Sequence, residues 1–286
     1  KKTPTANLPA VRINQINTAI RRLTAVFMDY TLITGACGGL GKEFCRQLIK
    51  SDDLFLTGRS GEKLENLKAE LLEIDPSANI LTFAADITSS DDRQSLFDYA
   101  DSLGVKFLGL FNVAGVDTQK EFLKYTEQKL VFQLRVNVEA TLSVTRFVLE
   151  RRAEKLKILT VSSMSGTTPM PYFAIYSASK AMLINFFTSL RYEVKNACIT
   201  TLIAGGIPTR PDVIKDIEAQ GVTGKLSSKP AAFVVKKSLA ALKKNKRKVI
   251  PGAFNKFVYT IEKLAPLSVQ CKFVAKRWSK KEKDNF

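Results

Sequence analysis

Short runs of consecutive apolar residues alternate along this chain with longer stretches in which apolar positions recur every three or four residues. The short runs fall at 30–34, 54–57, 80–85, 107–111, 158–161 and 199–203, with 248–251 as a last candidate, and each reads as a buried strand. The three-and-four spacing predicts helices over 39–49, 61–74, 90–102, 126–150 and 174–196. Strands that are apolar at every position need cover on both faces, so the repeated strand and helix units predict a parallel sheet with helices on either side. The expected fold class is α/β, a doubly wound parallel sheet forming one domain over 28–252. Amphipathic extensions flank it. In 1–27, Ile13, Ile16, Ile20, Leu23 and Phe27 form one helical stripe beside Arg12, Arg21 and Arg22. In 253–286, Phe254, Phe257, Val258, Ile261 and Leu264 form a second stripe, and Leu267, Cys271, Val274 and Trp278 a third.

The net charge of +17 suggests nucleic acid until it is divided along the chain. Residues 1–27 carry five basic and no acidic side chains and 236–286 carry fifteen and three, which leaves 24 of each sign in 28–235. The body is neutral, and the excess at the ends reads as attraction to an anionic surface. No aromatic residues interrupt the basic run at 243–248 to make a stacking platform, so nucleic acid is not the expected partner. No run reaches the roughly 18–20 apolar residues of a membrane span. A cytoplasmic location is expected, and the C-terminal stripes either pack on the body or rest peripherally on an anionic membrane. The segment 1–27 also has the composition of a transit peptide, with Met28 as an alternative start. Four scattered cysteines without CxxC spacing, in a chain lacking histidine, predict neither a metal site nor a disulfide framework.

The missing histidine also narrows the chemistry, because proton transfer near neutral pH must fall to another side chain. Tyr176 and Lys180 lie one helical turn apart, and Ser163 stands thirteen positions before the tyrosine. An adjacent ammonium group stabilises a phenolate and lowers a phenol pKa from its usual value of about 10. Tyr176 is therefore the expected acid and base, with Lys180 as its cation.

The first strand runs into Thr34-Gly35-Ala36-Cys37-Gly38-Gly39-Leu40-Gly41. Glycines there allow close approach, and the helix that follows points its amides and positive end at a pyrophosphate. After the second strand, Gly58 and Arg59 stand where an acidic residue would select NAD, so Arg59 is expected to meet the 2′-phosphate of NADP. Asp86, after the third strand, is placed either to accept a bond from adenine or to cap a turn.

With Asn112-Val113-Ala114-Gly115 and Asn137 in order between these motifs, residues 28–260 resemble the short-chain dehydrogenases/reductases. Val113 departs from the usual second asparagine, and Ala204 replaces a common proline before Gly205. The resemblance implies a Rossmann-like fold, NADP (NADPH) as cofactor and an oxidoreductase that interconverts an alcohol and a carbonyl. It implies that Tyr176 exchanges a proton with the substrate oxygen, Ser163 bonds that oxygen, Lys180 also holds the nicotinamide ribose, and Asn137 keeps a relay water by interrupting the local backbone bonding of its helix. It further implies cofactor contacts from Gly35, Cys37, Gly38, Gly39, Leu40, Gly41, Asn112, Ala114, Gly115, Gly205 and Ile207, from Ile87 against adenine, and from Thr209 to the carboxamide. A homo-oligomer paired through the helices at 126–150 and 174–196 is implied as well.

Val113, Met164, Met170, Pro171, Tyr172 and Phe173 suggest apolar walls, hence a hydrophobic carbonyl or alcohol as the small-molecule substrate. The stretch 206–228 is expected to fold over the cleft. The alternatives are a catalytically idle NADP-binding sensor or membrane-associated scaffold, and an isomerase or dehydratase using the same tyrosine.

Overall fold

The computed structural model describes residues 29–279 and 282–284, so the helix expected over 12–27 lies outside the described residues. Strand β1 (Asp29–Thr34) leads to helix α1 (Gly39–Leu48), β2 (Asp53–Gly58) to α2 (Gly61–Ile74), and β3 (Ile80–Ala84) to α3 (Ser90–Ser102). After β4 (Lys106–Asn112) and the two-residue β5 (Thr118–Gln119) comes α4 (Glu127–Leu134), a π turn (Arg135–Glu139) and α5 (Ala140–Glu150). Then follow β6 (Arg152–Ser163), α6 (Ala174–Glu193), β7 (Ala197–Ala204), α7 (Pro211–Ala219), α8 (Gly221–Ser227), α9 (Ala231–Lys243) and β8 (Lys248–Val249). Helices α10 (Ala253–Leu264) and α11 (Leu267–Trp278) and the short β9 (Lys283–Asp284) complete the described chain.

Seven strands form one parallel sheet in the order β3-β2-β1-β4-β6-β7-β8. Alternate residues of each strand point to opposite faces, and here both faces are apolar. Ile33, Leu54, Leu56, Phe111, Leu159 and Leu202 pack with Phe44, Leu64 and Val234 of α1, α2 and α9. Leu32, Phe55, Phe107, Leu110 and Ile158 pack on the other face with Leu96, Val144, Phe147, Leu183 and Phe187 of α3, α5 and α6. This double cover is why the strands read as unbroken apolar runs rather than as alternating ones.

Helix starts follow local chemistry. Ser60, Ser89 and Thr126 each accept a bond from the backbone N–H three residues on, which fixes the first turns of α2, α3 and α4. Helix α1 differs. Its N-cap is Gly38, with no side-chain cap and no acidic residue in the first turn, so its leading amides have no side-chain acceptor from the cap.

The helix expected over 126–150 is interrupted at 135–139, where bonding shifts to the π pattern around Asn137, the residue that the family resemblance expects to interrupt the local backbone bonding. Buried Arg93 braces that interruption, donating to the Ile87 carbonyl at 2.7 Å and to Glu139 at 2.6 Å. Strand β6 begins six residues before its expected start, because residues 152–157 pair with neighbours while exposing most of their polar side chains.

Candidate active site

Chain order reverses across β1 and β4, so the loops leaving their carboxyl ends diverge and open a crevice. Thr34 pairs with Asn112 at the ends of the two strands. The Thr34 hydroxyl accepts from the Val113 and Ala114 amides at 3.2 and 3.3 Å, which joins the two loops. Gly35 has φ +65°, and a Cβ there would lie 2.8 Å from the Ala114 Cα. A Cβ on Gly41 would lie 2.2 Å from the Gly35 carbonyl oxygen, a backbone atom that cannot move aside. Sterics alone therefore require both glycines. Cys37 is half-buried between them, its thiol pKa pushed up by burial, and Leu40 and Ile207 pack against the core below.

The far wall is the segment after β7. A Cβ on Gly39 would collide with the Thr209 side chain at 2.5 Å, and one on Gly205 with Ser227 O at 2.5 Å and Asn255 Nδ2 at 2.6 Å. Gly39 and Gly205 thus let 205–209 lie between the glycine turn and helices α8 and α10. The expected fold-over stretch 206–228 forms the short helices α7 and α8.

Two expected cofactor residues, Asp86 and Asn112, are engaged in ways the sequence left open or did not indicate. Asp86 Oδ1 accepts from the Thr88 amide and hydroxyl at 2.9 and 2.8 Å, the turn-capping alternative of its two readings. Asn112 is buried and donates to Thr145 and Thr160 at 3.1 and 3.2 Å, so its amide group locks β4 to α5 and β6. Arg59 is exposed at the end of β2, beside Ser60 and the start of α2. Ile87 is buried under the same rim.

Ser163, Tyr176, Lys180 and Asn137 converge at the crevice. Tyr176 stacks on Phe173 at 4.5 Å between ring centroids, and its hydroxyl bonds with the Ser163 side chain. The Ser163 hydroxyl also accepts from the Ser165 amide at 3.1 Å. Lys180 is buried and donates to the Val161 carbonyl at 3.0 Å, with Nζ 5.7 Å from the Tyr176 ring centroid. Asn137 is fully buried. It accepts from the Val116 amide at 2.9 Å, donates to the Val116 carbonyl at 2.9 Å, and donates to Ser179 at 3.2 Å. Ser179 in turn donates to the Tyr176 carbonyl at 2.7 Å. A Cβ on Gly115 would lie 3.1 Å from Lys180 Nζ and 3.3 Å from Asn137 Oδ1, so both groups lie against that glycine.

The electrostatics correct one expectation. The sequence places a cation one turn from Tyr176 and predicts a lowered phenol pKa. In the folded protein, burial drives that pKa up, Asp117 raises it further, and only the Ser163 hydrogen bond opposes them. Lys180 is buried as well, and burial lowers its own pKa to about 8 against the pull of Asp117. The phenol therefore keeps its proton at neutral pH.

Sequence reasoning missed Asp117, which acts on both groups and lies 3.7 Å from Arg210 across the mouth. It also missed Gly166, where a Cβ would lie 2.7 Å from the Lys180 backbone carbon. No spacing rule marks either residue; each matters through a contact distant in sequence.

The donor set fits a dinucleotide: the N-terminus of α1 has no side-chain cap, a glycine cradle lies beneath it, and Arg59 is exposed where a ribose would end.

Comparison with known proteins agrees with the geometry. Residues 29–220 match the short chain dehydrogenase family. Very-long-chain 3-oxoacyl-CoA reductases from Aspergillus niger and Neurospora crassa are 32% and 35% identical, over 60% and 58% of this chain and 51% and 52% of theirs. The chain spans about half the length of these curated relatives. Among solved structures, a 7beta-hydroxysteroid dehydrogenase superposes with TM-score 0.77 at 21% identity, covering 86% of this chain and 96% of the other. A short chain dehydrogenase from Burkholderia cenocepacia in complex with NADP gives 0.67 at 18%, covering 81% and 99%. With a parallel sheet, a glycine turn at its switch point and two thirds of its length matched, the chain belongs to the short chain dehydrogenase family.

Proposed function

We propose that this protein is an NADPH-dependent reductase that converts the keto group of an apolar acyl substrate, a 3-oxoacyl thioester, to the alcohol. The observation that carries this is the convergence of Ser163, Tyr176, Lys180 and Asn137 on one crevice beside an anion-binding helix end. The relatives named as 3-oxoacyl-CoA reductases support the substrate class.

NADPH, when bound, supplies the hydride. Ser163 and Tyr176 hold the substrate oxygen between two hydroxyl donors, and the phenol gives up its proton as negative charge develops there. Lys180, charged below about pH 8, stabilises the phenolate left behind and binds the ribose hydroxyls. Asn137 fixes the loop at Val116 and keeps that wall of the crevice in place. Gly35, Gly38, Gly39 and Gly41 would admit a pyrophosphate to the amides of α1, and Thr209 would hold the carboxamide. The test is oxidation of NADPH by a chain-length series of 3-oxoacyl-CoA compounds. Turnover that rises with acyl length is expected, and no turnover at any length sinks the proposal.

Cofactor choice rests on Arg59. Replacing it, Arg59→Asp, puts a carboxylate against the 2′-phosphate and loses a charge-assisted pair. Efficiency with NADPH falls about 10- to 100-fold, on the order of 1.5–3 kcal/mol, while NADH suffers little. Equal losses with both cofactors would refute the assignment.

The C-terminal helices extend the proposal to a membrane surface. Phe257, Ile261 and Leu264 of α10 and Leu267, Val269 and Phe273 of α11 are exposed, among Lys256, Lys263, Lys272 and Lys276. The inward side is polar: Glu262 accepts from Thr167 at 2.6 Å, and Thr168 donates to Gln270 at 2.5 Å. An outward face both apolar and basic suits an anionic bilayer. No helix among the described residues is long and apolar enough to cross one. Sedimentation with anionic vesicles, and none with zwitterionic ones, is the expected result; failure to bind either counts against the surface.

A further inference from the structure

Gln133 is fully buried, the only buried residue of α4, and neither its Nε2 nor its Oε1 has a protein partner. Buried amides are satisfied almost without exception, and where protein atoms do not serve, bound water does. Gln133 stands one helical turn before Asn137, and the π turn begins two residues after it. Helix α4 packs on α6, which carries Tyr176, Ser179 and Lys180. Asn137 has both amide protons committed, to Val116 O and Ser179, and keeps one acceptor position beyond the Val116 amide. Thr118, two residues past the Val116 that Asn137 clasps, is likewise fully buried with its hydroxyl unpartnered. Apolar cavities stay dry, whereas polar groups left over in one region mark the walls of a hydrated one.

We propose that Gln133 is a positioning residue that holds buried water between α4 and α6, behind Asn137, and so sets the path by which the phenol of Tyr176 regains its proton. This rests on the reductase reading above. Each reduction moves one proton from Tyr176 to the substrate oxygen. One proton must then enter from solvent, each water on the path accepting one and passing one on, to Lys180 and the phenolate. Lys180 Nζ and Asn137 Oδ1 both lie beside Gly115, 3.1 and 3.3 Å from where its Cβ would stand, so a water shared by the two would be the last link. An apolar residue in place of Gln133 fills similar volume but cannot order that water.

The test compares the wild type with Gln133→Leu and Gln133→Asn. For Gln133→Leu, kcat falls about tenfold with KM unchanged, and the solvent deuterium isotope effect on kcat rises above the wild-type value. Gln133→Asn, which keeps an amide, recovers most of the loss. An unchanged kcat and isotope effect in Gln133→Leu would overturn the proposal, as would equal losses in both variants. A high-resolution crystal structure of the wild type supplies a readout independent of turnover. Ordered water within hydrogen-bond distance of the Gln133 amide is expected, and a dry apolar surround overturns the inference whatever becomes of the reductase reading. Absence of wild-type turnover alongside that water would instead count against the reductase reading alone.

Discussion

Tyr176→Phe lowers turnover by about 10²–10⁴-fold while leaving the fold and cofactor affinity in place. The change removes one oxygen and keeps the ring, so the stacking on Phe173 at 4.5 Å survives. What disappears is the proton donor. With no histidine in the chain, and with Lys180 committed to the Val161 carbonyl, no neighbouring group takes over at neutral pH. General acid catalysis contributes about 10²–10⁴-fold, on the order of 3–5 kcal/mol of barrier, and the variant loses that amount in kcat. KM and the fluorescence titration of NADPH stay near wild type, and the melting temperature moves by no more than a surface substitution would move it. A variant that retained wild-type kcat would show that the phenol takes no part. A variant that melted early would place the loss in folding instead.

How much of this was legible beforehand depends on whether a feature is local. Helices over 61–74 and 90–102 were readable to the residue, since their apolar spacing and their Ser60 and Ser89 caps all lie within the segment. The strands were readable because burial on both faces removes polar residues from them. Apolar spacing does not show the break at 135–139, because it continues through the π turn; only the family resemblance, through Asn137, points to an interruption there, and the bond to Glu139 from Arg93, more than forty residues away, has no local signal. The start of β6 was hidden by its polar, solvent-exposed residues.

The same division runs through the site. Spacing alone gathers Ser163, Tyr176 and Lys180, because a strand end and one helix face deliver them to a single crevice. It could not say that Asn137 clasps Val116, that Asn112 turns inward to two threonines, or that Asp117 acts on both ionisable groups. Nor could it rank the electrostatic forces. A lysine one turn away lowers a phenol pKa in water-like surroundings, but desolvation is a property of the packed protein, and it reverses the sign.

That reversal makes the pH dependence of Lys180 the other large effect to expect. Burial brings its pKa down to about 8, so its charge is complete well below that pH and lost above it. A raised tyrosine pKa keeps the proton donor in place throughout the same range. Reduction is therefore limited on the alkaline side by the lysine: kcat/KM is flat below about pH 8 and falls about tenfold per pH unit above it, reporting the free enzyme. Lys180→Met removes the charge at every pH. It lowers kcat/KM by about 10²-fold at pH 7, on the order of 3 kcal/mol, and the alkaline limb vanishes. Asp117→Asn supplies the complementary test, since Asp117 raises the lysine pKa and its loss moves the limb to lower pH. A profile that keeps its alkaline limb in Lys180→Met, or that does not move in Asp117→Asn, would assign the titration to some other group and leave Lys180 with a binding role only.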